Sequence, residues 1–194
     1  MIYIAIFASG TGSNAQKIME YFKSNTLINI QLVVSNKENA GVLQHAKNYG
    51  IESMLLQNKE QFASSEFLSF LKRKPIHFIV LAGFLWLIPE ELIHQFPDRI
   101  VNIHPSLLPK YGGKGMYGNK VHEAVVANNE KESGISIHLV NNEYDKGQLL
   151  FQKSVLLDAS DTAEIVAKKV LALEHQFFPK IIEDYCLKNY QTWA

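Results

Sequence analysis

Cysteine is nearly missing from this chain: Cys186 is the only one among 194 residues. A lone thiol cannot close an internal disulfide, which favours a reducing compartment, and a cytoplasmic location is expected. Surplus charge of either sign is also missing, since Lys+Arg and Asp+Glu number 19 each. That balance argues against a broad nucleic-acid-binding face. Long apolar runs are absent. The longest covers residues 78–88, well short of the ~20 residues that span a bilayer. The opening Met1-Ile-Tyr-Ile-Ala-Ile-Phe7 has no basic segment before its apolar residues and runs straight into glycines. It reads as a first strand and not as a signal peptide. The seven histidines show no His-x-x-x-His spacing and the cysteine has no pair, so no metal is expected. No Gly-x-Ser-x-Gly elbow occurs, which disfavours a serine hydrolase. Repeats, low-complexity tracts and linkers are missing as well.

What remains is a globular composition, 47% hydrophobic and 20% charged, with a length suited to one domain. The first half alternates short Val/Ile-rich runs at 2–7, 30–34, 53–55, 78–82 and 100–103 with helical patterns at 14–23, 41–49 and 62–72. That alternation predicts an α/β fold whose parallel sheet is covered on both faces. Residues 110–119 hold four glycines and read as a flexible loop. A helix is predicted over 121–128 and strands over 135–140 and 149–156. A terminal helix starts behind Asp161-Thr-Ala-Glu164, which resembles a capping box with Asp161 as the cap. Its apolar spacing continues through Ile181, and Pro179 is expected to kink or end it.

Three segments can carry chemistry. Ser9-Gly10-Thr11-Gly12-Ser13-Asn14 follows the first strand and opens a helix. Its free N–H groups and the helix dipole make an anion site, most naturally for phosphate. The run also fits a dinucleotide fingerprint, but Ser35-Asn36 stands where that fingerprint needs an acid, so NAD is not expected. In Asn102-Ile103-His104-Pro105, Asn102 and His104 share one face of a strand at its end. An amide beside an imidazole suits acyl chemistry, one stabilising an oxyanion and the other handling protons. Asp145, in the turn Asn142-Glu-Tyr-Asp-Lys-Gly147, could orient His104 and raise its pKa; spacing alone does not bring the two together, and a solvated turn aspartate is the plainer alternative.

Taken in order, these segments resemble the folate-dependent formyltransferases over nearly the whole chain. The resemblance rests on Gly12-Ser13-Asn14, Ser35-Asn36-Lys37, Leu81-Ala-Gly-Phe84, Asn102-Ile-His-Pro-Ser-Leu-Leu-Pro109, Gly134-Ile-Ser-Ile-His138, Asp145-x-Gly147 and Glu174-His175. It implies a Rossmann-like domain over residues 1–194, its sheet mostly parallel with an antiparallel addition in the C-terminal half. Residues 1–100 would form a phosphate-binding half and 101–194 a catalytic and folate-binding half. The implied activity is direct formyl transfer from N10-formyltetrahydrofolate, as co-substrate, to the amine of glycinamide ribonucleotide, without metal. Asn102, protonated His104 and Asp145 would be catalytic. Gly12, Ser13 and Asn14 would hold the substrate phosphate, and Glu174 would contact the ribonucleotide. Leu87, Ile88, Val140, Asn141, Asn142, Glu143 and Tyr144 would line the pterin site. The expected partners are small molecules, with no nucleic acid or membrane, and the expected assembly is a monomer or homodimer. Alternatives are another formyltransferase or formyl hydrolase of the superfamily, and a nucleotide-binding module without catalysis. Leu85-Trp86 stands where many relatives carry Met-Arg, so the folate tail is expected to be held by apolar contact and not by that cation.

Overall fold

The computed structural model describes residues 1–193; Ala194, the last residue of the expected domain, lies outside the described residues. Seven strands form one sheet in the order β3-β2-β1-β4-β5-β6-β7. The first five are β1 (Ile2–Phe7), β2 (Ile28–Ser35), β3 (Glu52–Leu55), β4 (Phe78–Leu81) and β5 (Ile100–His104). Every pairing among these five is parallel. Two antiparallel strands, β6 (Glu132–Leu139) and β7 (Leu149–Leu156), then extend the sheet. The expected α/β, Rossmann-like class with its C-terminal antiparallel addition is therefore the observed one.

Alternation along the strands sorts two cores. Ile2, Ile4, Ile6 and Ala8 of the β1 segment face one side with Val101, Ile103, Ile135 and Ile137. That side is covered by α1 (Ser13–Phe22), α2 (Gly41–Asn48), α6 (Asn119–Ala127) and α7 (Ala163–Asn189). Ala5, Phe7, Ile79, Leu81 and Ile100 face the other. There they meet α3 (Lys59–Phe62), α4 (Ser65–Arg73) and α5 (Glu90–Gln95). Central strands buried on both faces must be apolar throughout, which is why β1 and β4 read as continuous hydrophobic runs.

The local reading needs correction at three points and narrowing at a fourth. The single helix read over 62–72 is two short helices, because Asn58 accepts from the Gln61 N–H at 2.8 Å and Ser64 from the Phe67 N–H at 3.2 Å. Each side chain caps its own start, and the chain turns between them. Helix α5 was not anticipated, although Pro89 followed by Glu90-Glu91 is a start signal. The cap of α7 is Thr162, which accepts from the Ile165 N–H, and not Asp161. Asp161 instead pairs with Lys169 at 2.6 Å. Pro179 does not end α7, which runs to Asn189. Burial of Phe178, Ile182 and Cys186 on its core face holds the helix together across the lost N–H.

Candidate active site

The order of the sheet reverses between β1 and β4, so the connections after those strands diverge and leave a crevice at their carboxyl ends. Residues 9–14 form one lip of it. Gly12 occupies the cap position of α1 in the left-handed region, φ 79. The Ser9 N–H donates to the Gly83 carbonyl at 3.0 Å, and the Leu85 N–H to Ser9 Oγ at 3.0 Å, tying this turn to the segment after β4. The N–H groups of the first turn of α1 have no acceptor within the helix and can receive an anion.

Gly12 is also demanded by packing. A Cβ there would come 2.7 Å from Val42 Cα. The left-handed conformation adds its own penalty. Gly12→Ala is expected to cost about 2–5 kcal/mol of stability, measured by urea denaturation. A loss below about 1 kcal/mol would show that α2 yields. Any substitution here therefore tests the fold before it tests an anion site.

The second constellation hangs from β5 and β6. Asn102 pairs with His138 across the antiparallel ladder, and His104 with Ser136. All four side chains point away from the Val101/Ile103 core, by alternation. Asn102 Nδ2 lies 3.1 Å from His138 Nε2. His138 Nδ1 lies 2.7 Å from the Leu139 carbonyl oxygen, which calls for a proton on Nδ1 and leaves Nε2 as the acceptor for the amide. Asp145 reaches this group from the turn after β6. Its Oδ2 is 3.5 Å from His104 Nδ1, and its Oδ1 is 3.5 Å from both His138 Nε2 and Asn102 Nδ2. Asp145 sits in the left-handed region, φ 57, which aspartate tolerates better than most residues. The Gly113 N–H donates to Oδ2 at 2.8 Å and holds it there. His104 Nε2 donates to the Tyr111 carbonyl at 2.7 Å.

The electrostatics correct one expectation. His104 was expected to be held charged by Asp145. Burial lowers its pKa, Asp145 and the Tyr111 carbonyl raise it, His138 lowers it, and the net shift is downward. The resting imidazole is thus biased toward the neutral form, with its proton on Nε2 and a lone pair on Nδ1. Burial pushes the Asp145 carboxyl up, but the His138 ring, His104 and the Gly113 N–H together bring it below its ordinary value. A fixed carboxylate, an adjacent imidazole and an amide donor can share the charges of an acyl-transfer step.

Both constellations open into one cleft of about 790 Å³. Gly12, Ser13, Asn14, Leu87, Ile88, Asn102, His104, Val140, Asn141, Glu143, Tyr144, Asp145 and Glu174 all line it. Asn142 does not: its side chain is exposed and turned to Glu90 at 3.4 Å. His122, His138, Lys114 and Trp86 line the cleft too, and the sequence reading gave none of the first three a role. For His138 the signal was available, since it falls opposite Asn102 once the two strands are paired. His122 is buried, with Nδ1 unpartnered, in the first turn of α6. Trp86 packs on Phe62 and Phe84 at 6.0 and 6.2 Å. Among the described residues, no cluster of three or more His, Cys, Asp or Glu could hold a metal, and no helix is long and apolar enough to cross a membrane.

Glu174 projects from α7 beside the turn of residues 9–14. Its partner is no cation but the amide of Asn14, whose Nδ2 donates to Oε2 at 2.6 Å. Asn14 therefore commits one of its two side-chain N–H groups to protein. Burial pushes the Glu174 carboxyl up, and the Asn14 hydrogen bond only partly opposes this. The folded protein then holds this proton more tightly than the unfolded chain does. Stability is lost as pH rises from the ordinary carboxylate range through the raised folded value. Glu174→Gln abolishes that loss, so its stability relative to the parent should be greater near about pH 8 than near about pH 4. Urea denaturation at both pH values checks this; an equal difference would mean that Glu174 is not desolvated.

Residues 2–182 match the formyl transferase family. The chain is 41% identical over 189 residues to the chloroplastic phosphoribosylglycinamide formyltransferase of Arabidopsis thaliana, covering 94% of this chain and 65% of that protein. It is 32% identical to the phosphoribosylglycinamide formyltransferase of Bacillus subtilis, covering 92% of each. The crystal structure of phosphoribosylglycinamide formyltransferase from Bacillus halodurans superposes with a TM-score of 0.86 at 33% identity, over 95% of each chain.

Proposed function

The chain belongs to the formyl transferase family, and from that premise we propose that it transfers the formyl group of N10-formyltetrahydrofolate to the amine of glycinamide ribonucleotide in purine synthesis. The observation that carries this reading is the convergence of Asn102, His104 and Asp145 in the same cleft as the anion-binding turn at Gly12 and Ser13. Amine and formyl carbon would meet at the strand end, with the phosphate held at the helix N-terminus and the pterin along Leu87, Ile88, Val140, Asn141, Glu143 and Tyr144.

Amine attack on a formamide produces a negative oxygen and a positive nitrogen. Asn102 addresses the oxygen. Its 3.1 Å contact with His138 fixes the amide plane, and the 3.5 Å contact with Asp145 is weak enough to yield to a formyl oxygen. His104 manages the proton at Nδ1, since Nε2–H is committed to the Tyr111 carbonyl. Nδ1 takes the proton of the attacking amine. Asp145 stabilises the imidazolium so formed, and the same nitrogen returns the proton to the departing folate nitrogen. Glu174, beside the phosphate turn, contacts the ribose or the amine of the ribonucleotide. The buried single thiol suits a cytoplasmic protein.

The test is formyl transfer by purified protein, with glycinamide ribonucleotide compared against other amine acceptors. Transfer confined to the ribonucleotide supports the reading. Formate release without an acceptor would indicate a formyl hydrolase, and transfer to another amine a different member of the family.

A further inference from the structure

A ribonucleotide phosphate carries about two negative charges near neutral pH, yet the turn at residues 9–14 offers only neutral N–H and hydroxyl groups and the partial charge of one helix end, roughly half a unit. The carboxylates of Glu143, Asp145 and Glu174 line the same cleft. A counter-charge must come from elsewhere in its wall, and among the described residues the one Lys or Arg in that wall is Lys114.

The neighbouring lysines are engaged or lie outside. Lys17 pairs with Glu20 at 2.8 Å, and Lys110 with Glu130 at 2.9 Å. Lys146 pairs with Glu143 at 2.5 Å. Lys120 lies over the Tyr117 ring and does not line the cleft. Lys37 lines a second depression, which shares Ser9, Gly10 and Thr11 with the cleft but does not reach Gly12, Ser13 or Asn14 and has Glu38 in its own wall. Lys114 is exposed, and among the described residues it has neither an acidic partner nor a hydrogen bond.

The loop around it runs toward the phosphate side of the cleft. It leaves the catalytic group at Tyr111, whose side chain packs on the α1/α2/α6/α7 core, and it ends at α6, which belongs to that same core. Helix α7 of that layer carries Glu174, bonded to Asn14 of the turn. The opposite wall, with Trp86, Ile88 and Val140, belongs to the other core. Gly113 and Gly115 flank the lysine at φ 94 and 91, a backbone conformation that glycine adopts without penalty. Gly113 is pinned to Asp145, so the lysine is held one residue from the catalytic carboxylate.

We propose that Lys114 is the cation that neutralises the ribonucleotide phosphate, reaching it from the glycine loop while the α1 turn supplies the N–H groups. This rests on the formyl-transfer reading and names the charged half of its phosphate site. It is tested with Lys114→Gln, an exposed loop substitution that leaves the fold intact. Two measurements are made on parent and variant: steady-state transfer with both substrates varied, and calorimetric titration with glycinamide ribonucleotide and with glycinamide riboside, which lacks the phosphate.

The variant should raise the Michaelis and dissociation constants for the ribonucleotide about three- to tenfold, less at high salt. Riboside binding, folate affinity and turnover should stay within about twofold of the parent. Weakening of the folate constant alone would overturn the proposal and assign Lys114 to the folate tail. Unchanged constants for both substrates, or equal weakening of ribonucleotide and riboside, would overturn it too. If the parent bound the ribonucleotide without transferring formyl, the catalytic reading would fail while the titration still decided the role of Lys114. If the parent did neither, both would fall.

Discussion

Asn102→Ala is expected to lower single-turnover formyl transfer by about 10²–10³, the usual cost of one oxyanion donor, while ribonucleotide affinity stays nearly intact. The reason lies in where the side chain stands. Asn102 is in a strand, flanked by the buried Val101 and Ile103, so removing its amide does not disturb the backbone. Its amide serves two neighbours, His138 at 3.1 Å and Asp145 at 3.5 Å. Truncation therefore also leaves the His138 Nε2 lone pair without its donor. The control is His138→Gln, which offers Asn102 another acceptor and should cost far less. If His138→Gln lost as much as Asn102→Ala, the amide would serve only to position its neighbours, and the oxyanion role would be withdrawn. The ribonucleotide dissociation constant is measured alongside, because the turn at residues 9–14 belongs to β1 and α1 and is independent of β5.

The layers of the fold were legible because burial on both faces leaves an unmistakable pattern. Runs such as Phe78-Ile-Val-Leu81 and Ile2-Tyr-Ile-Ala-Ile-Phe7 can only be central strands when helical patterns separate them. Short elements were harder. Glu90–Gln95 is too short for periodicity to register, and the break at Ala63-Ser64 depends on which side chain captures an N–H. At the site, Asn102 and His104 were visible because two residues on one strand share a face. Asp145 reaches them through a hairpin register that spacing does not encode, and His138 joins by cross-strand pairing with Asn102. The charge state of His104 was misjudged for a related reason. A sequence shows the carboxylate that raises a pKa, but not the burial that lowers it further. Nor does it show that Asn14 is bonded to Glu174, a contact that spans 160 residues.

His104→Ala should lower turnover by about 10²–10⁴, the range for a lost proton-transfer group, and Asp145→Asn should approach it if the carboxylate works through the imidazole. The pH dependence separates this from a merely structural role. His104 must be neutral to accept the amine proton, and burial holds its pKa below the ordinary value of about 6.5. The acid limb of kcat/KM should therefore lie below about pH 6.5. Asp145 raises the His104 pKa, so Asp145→Asn should move that limb to still lower pH while lowering the plateau. A variant that only loosened the turn would lower the plateau and leave the limb in place. The double variant completes the test. With His104 gone, Asp145 has no imidazolium to stabilise, so His104→Ala/Asp145→Asn should be scarcely slower than His104→Ala alone. A loss equal to the product of the two single losses, with an unmoved acid limb, would mean that Asp145 acts independently of His104. The carboxylate, held at 2.8 Å by the Gly113 N–H, would then be an anchor for the glycine loop and not a partner in proton transfer.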